Sequence, residues 1–165
     1  MMSLVKRTLP VFDISYHSYS ELVIYPYGCD DEYPENKELV AGIGKTLASK
    51  LVTDDDKGTY RPGTGWEILY AVDGDDASWM YQDYRTIAFV VEVNSTSTGF
   101  HPKWSTRDST VEKQRPGWQY LLDRLETSSI RGYLDADKLG EKHNRAVGYW
   151  PHQCSHLKVL EDEAG

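Results

Sequence analysis

Three side chains in this chain carry reactive groups: the imidazole of His17, the phenol of Tyr70 and the carboxylate of Glu92. His17 opens the run HSYSELVIYPYG, His17 to Gly28, in which polar and apolar residues alternate. A neutral imidazole at the lip of a strand can hold a metal ion or carry a proton. Glu92 is the one charged residue of IAFVVEV, Ile87 to Val93. A carboxylate near the end of so apolar a strand has two readings. It either faces water, the ordinary case, or serves as a general base in a partly desolvated cleft that tunes its pKa. Taken singly, each of the three has an ordinary explanation.

The elements that must position these groups follow from periodicity. Val11 to Tyr16 is short and apolar and predicts a strand that delivers His17 to its end, and Glu21 to Tyr27 predicts a second, closed by Pro26 and Gly28. Leu39, Val40, Ile43, Leu47 and Leu51 fall at helical spacing, with Asn36 placed to cap and Gly42 and Gly44 weakening the helix. Residues 52–66 read as loop. Glu67 to Val72 predicts a short strand, Ser78 to Gln82 a helical turn, and Ile87 to Val93 a central strand. Trp118, Leu121, Leu122 and Leu125 predict another amphipathic helix, with Pro116 and Gly117 at its start or at a kink. Alternating strands and helices make the fold class α/β, with sites at strand ends.

Bulk properties narrow the function. The 165 residues suit one domain. The net charge of −8 argues against a nucleic-acid partner, since few cations are available to displace counterions from phosphates. TDDDK, Thr53 to Lys57, reads as a solvated loop. No run nears the roughly 20 apolar residues needed to span a bilayer, and MMSLVKRTLPVF has no signal-peptide core. Two cysteines, Cys29 and Cys154, allow at most one bridge. Asn94-Ser95-Thr96 is a glycosylation sequon.

Read together, HSYSELVIYPYG, ILYAVDGDDASWMY (Ile68 to Tyr81) and IAFVVEV resemble the second half of the catalytic domain of zinc metallocarboxypeptidases of the carboxypeptidase A type. The likeness runs in order from Val11 to Leu125, and HSYS…YPYG is its most specific part. It implies a partial, mixed, mostly parallel sheet with flanking helices. It also implies zinc as cofactor and peptide or protein C-termini as partners. Residue by residue, it makes His17 a zinc ligand, Glu92 the catalytic glutamate and Tyr70 a mobile tyrosine closing over the substrate. Ser18 and Tyr19 fall where the family has an unusual backbone turn and a substrate-facing tyrosine. Asp75 and Ala77 fall in the pocket for the substrate's last side chain, where a small floor flanked by acids would accept Lys or Arg. Export, to the outside or the periplasm, follows by analogy alone.

The family's other two zinc ligands come as His-x-x-Glu, and no histidine here has that partner: Ser20, Trp104, Ala146, Ser155 and Val159 stand three residues after the five histidines. The substrate-clamping arginines have no counterpart either, since nothing around Arg61 or Arg85 matches. HQCSH, His152 to His156, offers two imidazoles around Cys154, but a polar tail is the better reading. The expectation is a C-terminal half-domain over 1–127, with 128–165 a tail that begins a β-rich segment. Alone it would be inactive, and a complementary N-terminal half would be its partner. The alternative is a non-catalytic peptide-binding module.

Overall fold

The structure, a computed structural model, describes residues 2–29 and 31–127 in full and the backbone of 145–148 and 158–161. In chain order the elements are α1 (Met2–Thr8), β1 (Phe12–Ser18), β2 (Leu22–Tyr25), α2 (Lys37–Lys50), β3 (Arg61–Thr64), α3 (Gly65–Ile68), α4 (Asp76–Tyr84), β4 (Ile87–Val93) and α5 (Arg107–Thr127). A single 3-10 turn, Trp104–Thr106, leads into α5. The four strands form one sheet in the order β1-β4-β2-β3. β1 runs parallel to β4 and β2 parallel to β3, while β2 and β4 are antiparallel. This is the mixed, mostly parallel α/β sheet that the sequence implies.

The central strand explains its own composition. Successive side chains of β4 point to opposite faces, and both faces are covered. Phe89 and Val91 enter the larger core with Val40, Ile43, Leu47 and Leu121 from α2 and α5. Ala88 and Val90 meet Val5 of α1 and Ala77 and Met80 of α4 on the other face. A strand buried on both sides has no reason to alternate in polarity, hence IAFVVEV. Glu92 continues the Ala88–Val90 face.

Several expected boundaries move, for physical reasons. Arg61–Thr64, expected as loop, is an edge strand, where Pro62 is tolerated because no ladder donor is needed on its outer side. Glu67–Val72 is not a strand. The Glu67 carboxylate accepts the backbone N–H of Thr64 at 3.0 Å, which closes the one-turn helix α3 and leaves residues 70–75 as loop. Asn36 stands at the N-cap of α2 but makes no capping bond through its side chain. α5 begins at Arg107, well before Pro116, and passes through it. The hydrogen bond lost at Pro116 is offset by packing, since Gly117 sits against Leu47 and Leu51. The stripe predicted for this helix is only partly covered: Leu121 is buried, whereas Leu122 and Leu125 are exposed. In the tail, β5 (Arg145–Gly148) and β6 (Lys158–Glu161) pair antiparallel as a separate ribbon. The remainder of 128–165, including HQCSH, lies outside the described residues.

The two glycines of α2 are not equivalent. A Cβ on exposed Gly42 would meet nothing within 4 Å. On Gly44 it would stand 2.6 Å from Cδ1 of Tyr25 and 3.3 Å from Cε1 of Phe89. Gly42→Ala should therefore stabilise the fold by roughly 0.5–1 kcal/mol. Gly44→Ala should destabilise it by about 1–3 kcal/mol, because a core ring must shift. Paired chemical melts of the two variants check both signs.

Candidate active site

The parallel register of β1 and β4 sets His17 directly beside Glu92. Side chains opposite each other in a ladder share a face, so imidazole and carboxylate stand together at one end of the sheet. Asp13 and Ser15 lie on the same face of β1, next to Ala88 and Val90. The Ser15 hydroxyl lies 3.1 Å from Nε2 of His17 and fixes the ring's rotation. With the proton on Nε2, the ring donates to Ser15 and Nδ1 presents a lone pair. Just beyond β1, the Ser18–Tyr19 peptide is cis, at the place where an unusual turn is expected.

His17 and Glu92 line a crevice of about 280 Å³ together with Tyr70, Asp75 and Ala77. Five of the six side chains singled out in the sequence are thus brought together. Tyr19 is not among the lining residues; its ring meets Phe100 edge-on, 4.8 Å between centroids. Tyr70, 64% exposed, stands on the rim in the loop after α3. Ala77 is buried in the first turn of α4. Asp75 caps that helix, accepting the Ser78 N–H at 2.7 Å through Oδ1 and the Ser78 hydroxyl at 2.5 Å through Oδ2. Its carboxylate is therefore partly engaged before any ligand arrives.

Gly28 lets the crevice close. Its N–H donates to the Ser78 hydroxyl at 2.9 Å, and its carbonyl accepts the N–H of Val72 at 2.9 Å. A Cβ there would lie 2.5 Å from the Asp75 carboxylate and 2.9 Å from the carbonyl of Val72. No larger residue allows the 72–78 segment to pack so near the end of β2. Ser15, Gly28 and Ser78 were not read from sequence as site residues: Gly28 and Ser78 meet across 50 positions of chain, and Ser15 acts only through the His17 ring.

Glu92 is 7% exposed, and its Oε2 is buried with no hydrogen-bond partner. Burial pushes its pKa above the ordinary carboxylate range, and attraction to His17 opposes that rise. A buried carboxylate oxygen without a partner is costly to folding. The donor set fits one corner of a tetrahedral zinc centre and not the whole. Among the described residues no three His, Cys, Asp or Glu side chains converge.

Asn94 of the sequon is 4% exposed. Its side-chain amide donates to Asp54 at 3.3 Å and to Thr110 at 3.2 Å, so the folded chain does not present it for glycosylation. TDDDK is likewise not simply solvated. Asp55 and Asp56 are exposed, but the Asp54 carboxylate is bonded into the loop after β4.

Residues 1–117 match the family model described as Zinc carboxypeptidase, and the chain belongs to that family. Zinc carboxypeptidase A 1 of Anopheles gambiae is 29% identical over 136 residues, a match covering 79% of this chain and 29% of the relative. Carboxypeptidase B of Rattus norvegicus is 33% identical over 112 residues, covering 67% of this chain and 26% of the relative. The fold agrees with that of bovine thrombin-activatable fibrinolysis inhibitor, solved in complex with tick carboxypeptidase inhibitor. That match has a TM-score of 0.70 at 19% identity and covers 78% of this chain and 44% of the other. The chain therefore spans under a third of the length of these two curated relatives.

Because folding raises the pKa of Glu92, its contribution has a definite sign. The group is harmless to stability at low pH, where it is protonated in both states. It becomes destabilising as pH rises through the unfolded value, near the ordinary 4.5, and on past the raised folded value. Glu92→Gln should thus gain stability relative to the parent as pH rises from 4 to 7. Thermal melts of metal-free protein at the two pH values check this; an equal effect at both would show that the charge carries no cost.

Proposed function

We propose that this chain supplies one wall of a zinc carboxypeptidase active site that releases the C-terminal residue of peptides. The adjacency of a half-free imidazole and a buried, unpartnered carboxylate in a substrate-sized crevice carries this reading. His17 would be one metal ligand, through Nδ1. When bound, zinc supplies Lewis-acid polarisation at the scissile carbonyl. Glu92, whose raised pKa suits proton transfer, would take a proton from the attacking water and return it to the leaving amine. Tyr70, on an exposed rim loop, would close over the bound peptide and help exclude water. Tyr19 would meet substrate beyond the crevice proper, beside Phe100.

Ala77 leaves room at the pocket floor, and Asp75 and Asp76 stand alongside, so the preferred C-terminal residue would be Lys or Arg. The domain would comprise 1–127, with 128–165 a separate appendage. The remaining donors and the clamping cation would come from a complementary segment outside these residues, and the chain by itself would be inactive. By family analogy the protein would act after export; among the described residues no helix is long and apolar enough to cross a membrane. The shortage of donors favours a second reading, a peptide-binding module that keeps the cleft without the metal. Metal analysis of the chain assembled with the complementary segment separates the two, since near-stoichiometric zinc with chelator-sensitive cleavage fits only the first.

In the assembled enzyme, Glu92→Gln should lower turnover by about 100-fold or more with zinc content unchanged. Loss of zinc instead would make Glu92 a ligand. Peptides ending in Lys should be cleaved in preference to those ending in Phe; the opposite order removes the basic-pocket assignment.

A further inference from the structure

We infer that Asp54 is a positioning residue, whose carboxylate ties the turn after Glu92 to the α2–β3 loop and thereby fixes that turn against the one following His17. Oδ2 of Asp54 accepts the backbone N–H of Ser95 at 2.8 Å and the hydroxyl of Thr98 at 3.1 Å. Oδ1 accepts the side-chain amide of Asn94 at 3.3 Å. One carboxylate thus gathers three donors from the five residues that begin two positions after Glu92.

The same residue reaches the other strand. Its own backbone N–H donates to the Glu21 carboxylate at 2.5 Å, and Glu21 lies in the turn that follows Ser18 and Tyr19. The two turns also meet directly, since the N–H of Ser20 donates to the carbonyl of Asn94 at 2.9 Å. Asn94 holds a left-handed backbone conformation, φ 65°, which its bonds to Asp54 and Thr110 maintain. Behind the loop, Lys113 of α5 donates to the carbonyls of Thr53 at 2.8 Å and Asp54 at 3.2 Å. Asp54 is therefore held from the back by a helix while its front grips both strand exits. Partial burial alone would raise its pKa, but the bonds from Ser95, Thr98 and Asn94 outweigh that and hold it below the ordinary range, so the anchor stays ionised at neutral pH.

The inference rests on the reading of His17 and Glu92 as a site, but its test does not require cleavage, so the two can fail separately. In the purified chain, Asp54→Ala should speed amide exchange at Ser20 and Ser95 by about tenfold or more. Exchange at Phe89 and Val91 should stay as in the parent. The ring-proton resonances of His17 at fixed neutral pH should move with the loosened turns. Asp54→Asn, whose amide oxygen can still accept from Ser95, should recover part of both effects. A folded Asp54→Ala protein with Ser20, Ser95 and His17 unchanged overturns the proposal. So does a uniform rise in exchange across β4, which would mark a general structural role. Should Asp54→Ala not fold, Thr98→Val decides. It removes a single hydroxyl bond and should speed exchange at Ser95 and Gly99 about two- to threefold with the core unchanged; no change there overturns the proposal.

Discussion

The pairing of β1 with β4 governs the rest of this structure, because it alone decides that His17 and Glu92 stand side by side. A slip of one residue in either strand would turn one of the two side chains to the opposite face. The register is not held by the polar groups themselves. Phe89 and Val91 must enter the core beneath α2 and α5, and Ala88 must meet the smaller core beneath α1 and α4. The apolar pattern of one seven-residue strand thus fixes the geometry of the chemistry at its end. Nothing polar could move without disturbing both cores.

The cost of that arrangement falls on Glu92. A carboxylate oxygen buried without a partner works against folding, and a protein that needed only stability would replace it. Under the proposed function, that cost serves proton transfer at the end of the strand. The crevice around it is made tight by backbone, with Gly28 admitting the 72–78 segment to within contact distance. The surrounding turns are held by the hydrogen bonds of Asp54, Glu21 and Asn94, together with the contact between the rings of Tyr19 and Phe100. Strand register sets the pair, and a polar lattice sets the turns beyond it.

How far the sequence revealed this depended on whether the deciding contact was local. IAFVVEV, the HSYS…YPYG run and the α2 stripe, apart from exposed Leu39, carry their structure in their own periodicity, whereas Tyr70, Asp75 and Ala77 follow from the family resemblance. Pro116 misled because helix propensity is a local quantity, while α5 is held by Gly117 against Leu47 and Leu51 across the core. The segment after Thr64 misled because a single carboxylate, Glu67, converts an apparent strand into a turn of helix. Asp54 was unreadable for a related reason. Three adjacent aspartates look alike in sequence, and only the approach of residues 94–98 distinguishes the first from its exposed neighbours. Tyr19 stands outside the crevice wall because its ring packs edge-on against Phe100, a contact distant in the chain.

The position of His17 also constrains how a metal centre could be completed. The crevice is lined by β4 and β2, by the segments around Tyr70 and by the start of α4. β1, which carries His17, is an edge strand of the described sheet and pairs there with β4 alone. An edge of seven residues presents a row of backbone donors and acceptors that suits one more strand. Under the proposed function, the complementary segment would add along β1, the strand that carries His17. The same addition would cover Tyr16, now half exposed on that strand. Completion of the sheet and completion of the donor set would then be one event, with the hydrogen-bonding edge fixing the register of the incoming ligands just as β4 fixes that of Glu92.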